Sequence, residues 1–96
     1  MKANISTRKI KRRKITFSFE ATQAQKVDLV GEFNNWRAGT HPMKKDKTGK
    51  WIKPLMLPPG QFEYKFLVDN KWVLDPQNDR KCSNCYGTQN NIVKVI

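Results

Sequence analysis

The side chains of this 96-residue chain that could do chemistry are few and scattered. There is one histidine, His41, and no glycine-rich phosphate loop. The carboxylates do not sit beside an evident acid–base partner, and Asp69 and Asp75 read more simply as turn formers. Nucleophilic or general acid–base catalysis needs such groups in convergent sets, so no enzymatic activity is expected. Cys82 and Cys85 are spaced C-S-N-C. Zinc takes four protein ligands, or three plus water, and two cysteines with one distant histidine do not supply them. A thioredoxin-like pair needs a strand before it and a helix after it, whereas here a Gly-containing turn follows. Two reduced loop thiols are the expectation, with a disulfide or a shared metal as lesser alternatives. No cofactor and no resident metal are expected.

What remains are two tryptophans outside the core pattern, Trp36 and Trp72, each beside a polar turn. Exposed aromatics call for a reason. A sugar ring has an apolar face of C–H groups and a rim of hydroxyls. A flat indole covers the face, and amide or ammonium groups bond the rim. Asn34, Asn35, Lys65, Thr88, Asn90 and Asn91 carry suitable rim chemistry. The competing reading is that both tryptophans cap the ends of a sandwich.

The elements that must position these residues are strands. The stretch LPPGQFEYKFLVDNKWVLD, from Leu57 to Asp75, holds the clearest one. Pro59 and Gly60 suit a type II turn. Phe62, Tyr64, Phe66 and Val68 then share one face, with Glu63, Lys65 and Leu67 on the other. Asp69 and Asn70 supply a two-residue hairpin turn, and Trp72 follows. Ile15, Phe17 and Phe19 alternate in a further strand, and Val27 and Leu29 in another. Gly31 marks a bulge or a close backbone approach. A long polar connection follows Trp36, with Met43 as a plug beneath it. Trp51, Leu55 and Leu57 share core parity, and Pro54 marks an edge or a bulge. NIVKVI closes the chain as a central strand whose core residues are Ile92 and Val95 or its neighbour. No segment has a helical period. The expected fold is an all-β antiparallel sandwich of six to eight short strands.

Length allows one small domain. The net charge of +11 is uneven: residues 1–14 carry seven basic and no acidic side chains. Residues 1–14 are expected to be a basic, flexible tail, and residues 15–96 the sandwich. No apolar run is long enough to span a membrane, and the amino terminus lacks a signal-peptide stretch, so a cytoplasmic location is expected.

Together, GEFNNW, the G-x-W at Gly49–Trp51, LPPGQFEYKFLVDNKWVLDP and YGTQNNIVKV resemble carbohydrate-binding module family 48, and within it the glycogen-binding domain of the AMP-activated protein kinase β subunit. The resemblance covers about residues 15–96. It implies an immunoglobulin-like sandwich that binds α-1,4-linked glucan (glycogen, starch or maltooligosaccharides) and performs no chemistry. It implies that Trp36 and Trp72 stack on sugar, and that Lys65 of the Y-K-F motif contacts the rim. The family's late loop, a bulky apolar residue followed by Gly-Thr-x-Asn, matches Tyr86, Gly87, Thr88 and Asn90. Tyr86 stands where an aliphatic residue is usual and could add a third stacking surface, and NDRKCSNC is also unusual. The implied partners are an α-glucan and a separate enzyme or kinase. The alternatives are a nucleic-acid-associated protein using the basic tail and the aromatic surface, or a protein-interaction module using a sheet edge.

Overall fold

The computed structural model describes residues 11–96. Most of the basic tail lies outside them. The described chain folds into eight strands: β1 (Arg13–Glu20), β2 (Val27–Gly31), β3 (Lys44–Lys45), β4 (Lys50–Leu57), β5 (Gly60–Val68), β6 (Lys71–Val73), β7 (Lys81–Ser83) and β8 (Gln89–Val95). A single 3₁₀ turn, Glu32–Asn34, follows β2. One sheet has the order β1-β4-β3 and the other β2-β5-β8-β7, with β6 also paired to β5. Every pairing is antiparallel. The architecture is the antiparallel β-sandwich that the alternation predicts. Strand β1 begins at Arg13, two residues before the apolar alternation, and the Arg13 Nε–H donates to the Ile96 carbonyl at 2.9 Å.

The core forms where the period-two faces of the two sheets meet. Phe17 and Phe19 of β1 and Trp51 and Leu57 of β4 face Val27, Leu29, Tyr64, Phe66 and Val95 of the second sheet. Phe17 meets Tyr64 edge-on at 5.0 Å between ring centroids, and Phe19 meets Phe66 at the same distance. Met43 is buried in this cluster, as a plug under the long connection. Gly31 is the close approach its position suggested. A Cβ there would stand 2.5 Å from the Glu63 carbonyl oxygen and 2.8 Å from the Tyr64 Cβ.

Strand β5 is the frame that carries Lys65 and, through its hairpin with β6, Trp72. It pairs with β2 along Tyr64–Val68 on one side. Its other side is shared end to end by β8, at Gly60–Tyr64, and β6, at Phe66–Val68. The exposed edge of β2 is covered by the returning connection. The Leu29 N–H donates to the His41 carbonyl at 3.0 Å and the Met43 N–H to the Val27 carbonyl at 2.8 Å. This closes an edge otherwise open to aggregation.

Two local expectations are corrected. Gly60 has φ 146° and opens β5 after a bend at Pro59, so no type II turn forms. The reason is that β4 and β5 belong to different sheets, and the link turns a corner between layers. Ile92 lies opposite Glu63, on the outer face, and Val93, opposite Phe62, packs against the core instead. Pro54 lies beyond the two residues of β4 that β3 covers, which leaves an open edge where its missing N–H is harmless.

Candidate functional site

Trp36 is held by a tight loop built from its own neighbours. Asn34 is buried, and its Oδ1 accepts the Gly31 N–H at 3.0 Å. That fixes the amide, whose Nδ2 donates to the Leu29 carbonyl at 2.9 Å and to His41 Nδ1 at 3.0 Å. His41 Nδ1 is therefore an acceptor. Burial, and then the charge of Lys53, lower the His41 pKa from its ordinary 6.5. Asn35 and Trp36 both lie in the left-handed region, at φ 56° and 59°. The Trp36 N–H donates to the Gly31 carbonyl at 2.9 Å. The indole is left 38% exposed.

Trp72 is presented by the β5–β6 hairpin. Asp69 and Asn70 have φ 47° and 70°, the pair of positive values a type I′ turn requires. The Asp69 carboxylate accepts the N–H groups of Gln25 (3.0 Å) and Lys26 (2.9 Å), which ties the hairpin tip to the start of β2. Trp72 lies opposite Leu67, on the outer face that also carries Lys65, and is 53% exposed.

The third wall is the β7–β8 loop, organised by Asn84. Its Oδ1 accepts the N–H groups of Tyr86 (2.9 Å) and Thr88 (3.2 Å). Its Nδ2 donates to Thr88 Oγ1 at 2.8 Å and Asn90 Oδ1 at 3.0 Å. Lys65 Nζ also donates to Thr88 Oγ1, at 3.1 Å. Because that oxygen accepts twice, its own O–H is free to donate outward. Lys65 keeps two further donors. Asn90 is only 6% exposed and donates to Glu63 Oε1 at 2.9 Å. Glu32 accepts the Glu63 N–H at 2.7 Å, which links this network to the Trp36 loop. Partial burial, and then the hydrogen bond to Glu63, push the Cys82 thiol pKa up, so it is no activated nucleophile.

Trp36, Lys65, Trp72, Tyr86, Thr88 and Asn90 all line one open groove of about 810 Å³. Tyr86 is 86% exposed at its rim. Residues 13–96 match the family described as the glycogen recognition site of AMP-activated protein kinase. The chain belongs to this family. The pig (Sus scrofa) 5'-AMP-activated protein kinase subunit beta-1 is 39% identical over 71 residues, 74% of this chain and 55% of that protein. Protein PTST homolog 2, chloroplastic, of Arabidopsis thaliana is 37% identical over 72 residues, 75% of this chain and 13% of that one. Among solved structures, the maltogenic amylase from S. marinus superimposes with a TM-score of 0.76 at 26% identity, over 88% of this chain and 14% of the amylase. The chain thus spans a part, between 13% and 55%, of these proteins.

Two asparagines expected at the rim are anchors of the glycogen-recognition fold instead. Asn34 holds the Trp36 loop as described. Asn91 is fully buried and ties down the segment after β6, accepting the Asp75 N–H at 2.6 Å and donating to the Asn78 carbonyl at 3.0 Å. Tyr64 holds the same segment, donating to Asp75 Oδ2 at 2.8 Å and accepting from Asn78 Nδ2 at 2.9 Å. Sequence reasoning missed Asn84 and Glu63, both in the groove wall. Asn84 was signalled by N-C-Y-G, an Asx-turn pattern, and Glu63 by sharing the outward parity of Lys65. Cys82 lies in β7 opposite Asn90 and only Cys85 in the loop, and both are free thiols. Among the described residues no helix is long and apolar enough to cross a membrane, and no cluster of three or more His, Cys, Asp or Glu side chains could hold a metal.

Proposed function

We propose that this domain binds α-1,4-linked glucan, as glycogen, starch or maltooligosaccharide, and performs no chemistry on it. Sugar rings stack on Trp36 and Trp72. Lys65 and the Thr88 hydroxyl donate to the ring hydroxyls. Tyr86 adds a third aromatic surface at the rim, and Asn90 holds the loop from the floor of the groove. The observation that carries this reading is the convergence of two exposed indoles and two free polar donors in one open groove. A neutral polyhydroxylated ring meets both needs, with an apolar face for the indole and acceptors for the donors. The family and the names of its relatives, kinase subunits among them, support a targeting role in which the domain brings a separate enzyme or kinase to the polymer.

An open groove with two platforms predicts weak binding, with Kd of roughly 10 µM to 1 mM for maltoheptaose. Titration calorimetry with maltoheptaose, beside co-sedimentation with glycogen, tests it. Stacking on a neutral sugar leaves the affinity nearly unchanged between ~50 and ~200 mM salt, where phosphate-driven binding would collapse. No heat and no co-sedimentation at millimolar sugar would refute the reading.

A further inference from the structure

The groove is not alone on this face. A second concavity of about 720 Å³ adjoins it, and three residues, Lys65, Trp72 and Thr88, line both. The Lys65–Thr88 hydrogen bond, 3.1 Å long, joins two of the three residues that the concavities share. Trp36 and Tyr86 belong to the first groove only. The second has its own surface. The half-buried Leu74 gives it an apolar contact, and the exposed Gln89 supplies an amide that both donates and accepts. Gly87, at φ 80°, leaves its rim open, since nothing stands within 4 Å of where a Cβ would be.

We propose that this second groove is a further glucan subsite, which takes the continuation of a chain whose first units occupy the Trp36 groove. The inference rests on the glucan-binding reading above. Its chemistry repeats that of the first groove on a smaller scale. An apolar floor of Leu74 and the Trp72 indole takes a ring face, and Gln89 and the remaining Lys65 donors take the hydroxyls. A chain crossing from one groove to the other meets Lys65, Trp72 and Thr88 on the way. The consequence is a dependence on chain length that short oligosaccharides do not show.

The test compares maltotriose with maltoheptaose, by calorimetry, on the wild type, Leu74→Ala, Gln89→Ala and Trp36→Ala. The wild type binds maltoheptaose more tightly than maltotriose. Leu74→Ala and Gln89→Ala each cut that ratio by about threefold or more while leaving maltotriose affinity within about twofold. Trp36→Ala weakens both sugars. Gln89 is exposed, so its variant reports even if Leu74→Ala fails to fold. An unchanged ratio in Gln89→Ala, or no gain with length in the wild type, overturns the second subsite while the first groove stands. Absence of binding to either sugar by the wild type overturns both.

Discussion

Replacing Trp72 with alanine separates a binding platform from a structural cap, and Trp51→Ala is the control. Trp51 is 7% exposed, its indole N–H donates to the Ala21 carbonyl at 2.9 Å, and Lys45 Nζ stands 5.6 Å from its ring centroid. Emptying that site costs about 3–5 kcal/mol of folding free energy. For a domain of this size each kcal/mol moves Tm by about 4–8 °C, so Trp51→Ala melts at least about 12 °C lower or does not fold. Trp72 is 53% exposed. About half of a burial term of ~1.5–3 kcal/mol is at stake there, so its removal costs about 1 kcal/mol and under about 8 °C. Binding reverses the order. If sugar stacking is comparable to base–aromatic stacking, at ~1–3 kcal/mol, Trp72→Ala weakens maltoheptaose about 5- to 150-fold. The assay is a thermal melt with a calorimetric titration, which does not depend on the fluorescence of the residue removed. A Trp72→Ala protein that melts as low as Trp51→Ala, or binds sugar as the wild type does, would refute the reasoning.

The remaining expectations concern the margins of the site. A chain beginning at Lys11 keeps β1 whole and should fold and bind maltoheptaose within about twofold of the full chain; a larger loss by calorimetry would bring the basic tail into the site. Joint replacement of Cys82 and Cys85 by serine should leave affinity within about threefold, because a serine hydroxyl in place of the Cys82 thiol can still donate to Glu63, and affinity that switches with reductant would contradict this. His41 has a folded-state pKa below its ordinary 6.5, since burial and Lys53 oppose its charge, so folding favours the neutral ring. Its contribution to stability is complete above the unfolded value near 6.5 and is lost as pH falls from there toward the lowered folded value. Melts between about pH 7 and 5 should show that slope, and His41→Gln should flatten it.

How far the sequence reveals this molecule depends on whether a residue's role is local. The alternation in β1 and β5 is local, and so are the Asp69–Asn70 turn and the exposure of a tryptophan beside a polar loop; all were legible. Ile92 was not, because NIVKVI is nearly continuously apolar and only its register against β5 decides which face each residue takes. The complete burial of β2 was hidden for a similar reason. Val30 and Asp28 have outward parity, yet the connection that returns through Pro42 runs along that strand. Asparagine was the least legible type. Asn34, Asn84, Asn90 and Asn91 carry the same amide, and only their partners separate two anchors of the fold from an organiser of the loop and a residue on the groove floor. The residues that line the groove could therefore be named from the sequence while their supports could not.

The backbone at Trp36 gives the last expectation, and it does not require sugar. A φ of 59° is unusual for a large L residue, since the left-handed region costs about 1–2 kcal/mol relative to the right-handed one. Glycine would relieve that cost. A tryptophan in that conformation, on a loop locked by Asn34, is what a binding role would look like, because strain of this kind gathers at functional sites. The comparison that isolates it is Trp36→Gly against Trp36→Ala. Both lose the indole and its partial packing, so their difference is a backbone term. At an ordinary position alanine is favoured over glycine by roughly 0.5–1 kcal/mol. Here the order inverts, and Trp36→Gly should melt higher than Trp36→Ala by several degrees, at about 4–8 °C per kcal/mol. Neither variant should hold maltoheptaose as the wild type does. If alanine proves the more stable of the two, the loop is not strained at this position. The backbone at Trp36 would then say nothing about function.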